Sequence, residues 1–257
     1  MHVRILGPLE LATDEGRSLT PRALKLRSLL ALLSVNSERV VSADTLIDAL
    51  WSGAPPRTAG TALQVYISKL RKHHEDLASD LQTKPPGYLF DLRSHQLDLR
   101  DFDSLMARAR QAETSGLTEE AAELLQAALD LWTGPALADM RSLPVLDSFA
   151  RQLDERRMVA HERRFELELT LGRHNTIISE LHGLISEHPM WENLHYLLML
   201  SLYRSGRTAE SLKIYNRART TLVESLGMEP SLRVQQLHRA ILARAAWLDN
   251  PSLLHAS

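Results

Sequence analysis

The side chains in residues 58–74 that could do chemistry are hydroxyls, one amide and cations. Thr61, Val65, Ser68 and Lys72 fall on one helical face, flanked by Gln64, Lys69 and Arg71, and the stretch holds no acid. Small hydroxyl and amide groups can read base edges in the DNA major groove, while Lys and Arg neutralise phosphates. Leu63, Ile67 and Leu70 take the opposite face at i, i+4 and i+7 spacing, as a core-facing stripe does. A solvated surface helix has the same amphipathicity, so the surrounding elements must decide between the two.

Those elements read as strands, three helices and a hairpin. Residues 2–6 and 8–13 are short strands parted by Gly7-Pro8, and residues 17–20 a third. Thr20-Pro21 supplies an N-cap and a first-turn proline for a helix ending about Val35. Ser42 caps a second helix over residues 43–51, and Gly53-Ala54-Pro55-Pro56 turns the chain into the third, residues 58–74. Residues 82–84 and 88–92 flank Pro85-Pro86-Gly87 as a hairpin. This order is that of a winged helix, whose third helix enters the major groove while the hairpin reaches the adjacent backbone. Tyr66 and Trp51 are expected to pack largely into the core, and His73 and His74 to cap the helix end.

Composition excludes several function classes. The chain has 257 residues, a net charge of −2 and no cysteine, which rules out disulfides, thiolate metal sites and cysteine nucleophiles. Near neutrality argues against wholesale coating of nucleic acid, yet residues 49–74 carry Arg57, Lys69, Arg71 and Lys72 without one acid. There is no signal-peptide pattern and no apolar run near the roughly 20 residues of a membrane span. A cytoplasmic protein, nucleoid-associated when bound to DNA and without membrane contact, is expected. No phosphate loop, nucleophile elbow or paired zinc histidines occur, and His182 and His188 are isolated. No enzyme, cofactor or metal is expected, and Asp154 and Glu155 beside Arg156 and Arg157 read as exposed ion pairs on a charged helix.

Three stretches, VVSADTLIDALW, PPRTAGTALQVYISKLRK and PPGYLF, resemble the Streptomyces antibiotic regulatory protein (SARP) family of transcriptional activators. The resemblance covers nearly the whole chain, since the second half is similar to the family's bacterial transcriptional activation domain. It implies that the third helix is the recognition helix and the hairpin the wing. Thr61, Gln64, Val65 and Ser68 would then face bases. Arg57, Lys69, Arg71 and Lys72 would face phosphates, with Lys84 and Tyr88 in the wing. It further implies double-stranded promoter DNA as partner, two subunits side by side on direct repeats, recruitment of RNA polymerase holoenzyme, and control of antibiotic biosynthesis genes.

Beyond Asp101 helix follows helix. Gly116, Gly172 and Gly206 open similar segments, and the last two lie 34 residues apart, the tetratricopeptide period. The positions at +5, +9 and +12 interlock helix pairs, while residues 151–171 form a helix with Leu153, Val159, Leu167 and Leu169 as apolar positions. Arg173, Arg204 and Arg207 read as solvated. Residues 94–101, without Gly or Pro, make a stiff connection in which Leu97 and Leu99 alternate as in a buried strand. After Trp247 the periodicity ends and fraying is expected. The expected fold class is mainly α with a small β part: an N-terminal winged helix-turn-helix over residues 1–95, then an all-α tetratricopeptide-like helical repeat domain over 96–257. The alternatives are a repeat-type protein-interaction adaptor, which heparin would not retain, and a repressor using the same DNA-binding domain.

Overall fold

The computed structural model describes residues 1–249, which form two compact units. One comprises residues 1–107 with 127–158; the other comprises residues 108–126 with those from 159 onward.

The first unit opens with β1 (His2–Arg4) and β2 (Glu10–Ala12), an antiparallel pair that Ala12 extends by a bridge to Ser18. Thr20 does not cap a helix. Its hydroxyl accepts the Leu11 N–H at 2.8 Å, which holds it to the sheet edge, and α1 starts only at Leu24 (Leu24–Val35). β3 (Val40–Ser42) leads directly into α2 (Ala43–Trp51), where the Ser42 hydroxyl accepts the Thr45 N–H at 3.0 Å as an N-cap. α3 (Ala59–Arg71) and the short α4 (Glu75–Asp80) follow.

The hairpin of β4 (Leu81–Lys84) and β5 (Gly87–Phe90) joins β3 in a three-stranded antiparallel sheet ordered β3-β5-β4. Gly87 lies opposite Ser42, where an added Cβ would collide with the Val41 carbonyl oxygen, so only glycine lets β3 and β5 approach. β6 (Gln96–Leu97) pairs in parallel with β1, and Leu97 is buried as expected. Leu99 belongs instead to α5 (Asp98–Thr114), which follows β6 directly; the Asp98 carboxylate accepts the Leu99 N–H at 2.8 Å.

α6 (Thr118–Leu129) and the 27-residue α7 (Pro144–Thr170) contribute to both units. The second unit continues with α8 (Ile178–Glu187), α9 (Glu192–Arg204), α10 (Thr208–Leu226) and α11 (Leu232–Ala243). Gly116, Gly172 and Gly206 all sit at φ of 74–75°, the left-handed turn that a side chain resists, so the shared sequence signal is one shared turn geometry. Ala121, Ile177 and Ser211, five residues on, are all buried.

α9 is buried throughout residues 194–202, packed by α8, α10 and α11. α11 and a 3-10 turn (Ala246–Asp249) carrying buried Leu248 therefore cover a helix that an open repeat array would leave facing a groove. Residues 250–257 of the tail expected to fray lie outside the described residues. Arg204 is not solvated: it donates to the carbonyls of Leu248 (2.8 Å) and Leu169 (3.1 Å). Val159 is exposed, since the buried stripe of α7 runs through Met158, Ala160 and Phe165 at its side. Asp154 and Arg156 find partners off their own helix, in Arg141 and Asp103.

Candidate nucleic-acid interface

α3 buries Ala59, Leu63, Ile67 and Leu70 and exposes Thr61, Gln64, Val65, Ser68 and Lys69, so the helical periodicity separates the two faces as the sequence implies. Val65 is 44% exposed. Arg57, just before the helix, and Lys72, its C-terminal cap residue, are also exposed. Among the described residues Arg57, Lys69, Lys72 and Lys84 make no ion pair, which leaves their charge available to an anion.

One side chain from each of three helices meets in a stack beside this face. Trp51 of α2 stacks on Tyr66 of α3, with ring centroids 6.3 Å apart and 18° between planes. Lys25 of α1 places its Nζ 5.2 Å from the centre of the Trp51 ring and donates to the Leu50 carbonyl at 2.5 Å. A cation over an indole face is attracted by the ring quadrupole. Sequence reasoning passed over Lys25, for which no local pattern signals a partner 25 residues on.

Arg71 has a more particular role than its charge implies. Its Nε donates to the Leu81 carbonyl at 2.7 Å and its Nη2 to the Thr83 hydroxyl at 2.9 Å, so two of its donors tie the end of α3 to the outer wing strand. A planar guanidinium can serve two acceptors at fixed geometry; an ammonium cannot.

In the wing, Lys84 is exposed at the end of β4, beside the Pro85-Pro86-Gly87 turn. Tyr88, expected in the wing, packs into the core. It lies on the central strand on the same side as Phe90, two residues on, and is only 9% exposed. Thr83, its neighbour on the edge strand, is exposed but engaged by Arg71.

Residues 97–242 match the family model described as bacterial transcriptional activator domain, and residues 15–90 match that described as transcriptional regulatory protein, C terminal. The chain is 38% identical to the regulatory protein DnrI of Streptomyces peucetius, over 97% of its own length and 94% of that protein's. The chain belongs to the SARP family. As a SARP-family protein it is a transcriptional regulator, and that family is not an enzyme class.

It is also 36% identical to the transcriptional regulatory protein EmbR of Mycobacterium tuberculosis, over 93% of this chain and 62% of EmbR. A solved structure of M. tuberculosis EmbR in complex with a low affinity phosphopeptide matches with a TM-score of 0.87 at 35% identity, covering 95% of this chain and 65% of that one. This SARP chain thus spans nearly all of DnrI but under two thirds of EmbR. Among the described residues no helix is long and apolar enough to cross a membrane, and no group of three or more His, Cys, Asp or Glu could hold a metal ion.

Proposed function

We propose that this protein is a sequence-specific DNA-binding transcriptional activator. The observation that carries the reading is the exposed face of α3: Thr61, Gln64, Val65 and Ser68 flanked by Lys69 and Lys72, cations without an ion pair among the described residues. α3 lies in the major groove with those four residues toward base edges, and Arg57, Lys69, Lys72 and Lys84 contact phosphates. Arg71 sets the wing against the helix, with at most part of its guanidinium left for a phosphate. Residues 1–95 form the DNA-reading segment and 96–257 the activation segment. Two subunits sit side by side on direct repeats near a promoter and hold RNA polymerase there. Membership of the SARP family supports antibiotic biosynthesis genes as the targets and the cytoplasm as the compartment.

The adaptor alternative loses its usual surface, because α11 and the 3-10 turn cover the buried α9 where a repeat groove would hold a peptide. The test is a gel shift and footprint with promoter fragments from the neighbouring genes at low salt. Protected direct repeats upstream of the promoter elements are expected; no shift with any fragment would reject the reading. Gln64→Ala is expected to blunt discrimination between matched and unmatched sites. Lys72→Ala is expected to weaken both alike and to lower the salt slope by about one.

A further inference from the structure

We propose that Val65 determines specificity by packing against the 5-methyl group of a thymine in the major groove. The inference rests on the DNA-binding reading above and names one chemical group that the helix selects. Val65 sits near the middle of α3, with exposed Thr61 and Ser68 a turn to either side and exposed Gln64 next to it. The other aliphatic residues of α3 larger than alanine, Leu63, Ile67 and Leu70, are all buried, whereas Val65 is 44% exposed.

Two physical arguments set this valine apart. Its branched Cβ loses rotamer freedom in a helix, so alanine, glutamine or lysine would favour α3 more at a solvent-facing position. The residue thus serves neither the core nor the helix. Single exposed apolar residues are common and need no cause on their own. This one, however, lies among hydrogen-bonding groups and beside Lys69 and Lys72, which have no acidic partner among the described residues.

A surface of that kind is complementary to a polyanion whose polar groove contains an apolar spot. On the base edges of the major groove that spot is the thymine methyl. The isopropyl group of Val65 covers it, while Gln64, Thr61 and Ser68 serve the polar edges around it.

The test begins by selecting duplexes from a random-sequence pool with the full-length chain at low salt. Each thymine of the selected site is then replaced singly by deoxyuridine, which removes only the 5-methyl group. At one thymine per bound subunit the replacement is expected to weaken wild-type binding about fourfold, the value of burying one methyl group. Val65→Ala is expected to bind thymine and deoxyuridine duplexes alike, with a melting temperature near wild type because the buried face of α3 is untouched. A wild-type chain indifferent to every deoxyuridine replacement overturns the thymine contact and leaves DNA binding standing. So does a folded Val65→Ala variant as methyl-sensitive as wild type. Should that variant not fold, the wild-type replacement series alone decides. Selection of no duplex at all overturns both readings.

Discussion

Asp98 is a buried carboxyl that three backbone donors surround. It accepts the N–H groups of Ile5, Leu6 and Leu99, each at 2.8 Å, and so closes the irregular segment after β1 and the first turn of α5 together. Burial pushes its acid up to about 6, against the pull of those three N–H groups toward ionisation. The sign follows from linkage. A carboxyl raised above its ordinary value of 3.8 contributes stability that is fully present below that value and is lost as pH rises through about 6. Asp98→Asn does not titrate, so the urea midpoint of the wild type should fall relative to this variant between pH 4 and 6.5 and run level above. A constant difference across that range would show that the acid is not raised. At pH 7 Asp98→Ala leaves three N–H groups without their acceptor and should cost roughly 2–4 kcal/mol in the same urea experiment.

At the scale of elements, α3 and the β4–β5 hairpin are held in register by Arg71, whose donors reach Leu81 and Thr83 on β4. Arg71→Lys keeps the charge and removes the two-point grip. Weaker binding of matched DNA by roughly threefold to tenfold is expected, with the salt slope unchanged, because the cation is kept. Arg71→Ala removes the charge as well: its salt slope should stay at the wild-type value if Arg71 only holds the wing, whereas a slope lower by about one would mean that Arg71 also neutralises a phosphate. How far these elements were legible in the sequence depends on the range of the interactions that make them. The buried and exposed faces of α3, the Ser42 cap and the turns at Gly172 and Gly206 follow from residues within a few positions of each other, and periodicity reveals them. Thr20 reads as a helix cap until Leu11 is known to claim its hydroxyl. Arg71 reads as a free cation because the strand that takes its donors lies ten and twelve residues on. Tyr88 reads as a polar wing residue because aromatic and hydroxyl share one side chain, and only strand alternation places it beside Phe90 in the core.

At the scale of the whole molecule, the N-terminal compact unit is completed by residues far along the chain. The Ile5 and Leu6 carbonyls accept from Leu137 (3.1 Å) and Thr133 (3.0 Å), and the Leu9 N–H donates to Asp139 at 2.8 Å. Asp139 also pairs with Arg27 on α1, while Trp132 meets Phe102 edge to face at 5.6 Å between centroids. With Asp98 taking the Ile5 and Leu6 N–H groups, the backbone between β1 and β2 is satisfied by residues 98–139 rather than by a sheet partner. Asp139 is the point where this seam reaches the three-helix core that carries α3. Asp139→Ala strands the Leu9 N–H and leaves Arg27, itself largely buried, without its carboxylate. A loss of roughly 1–3 kcal/mol in urea unfolding is expected. Asp139→Asn, which keeps an acceptor for Leu9, should lose less. A chain cut to residues 1–95 lacks the whole seam and should unfold at lower urea than the same residues within the full chain, read by hydrogen exchange at the α1 amides. Equal protection in fragment and full chain would mean that the winged helix owes nothing to residues 127–158.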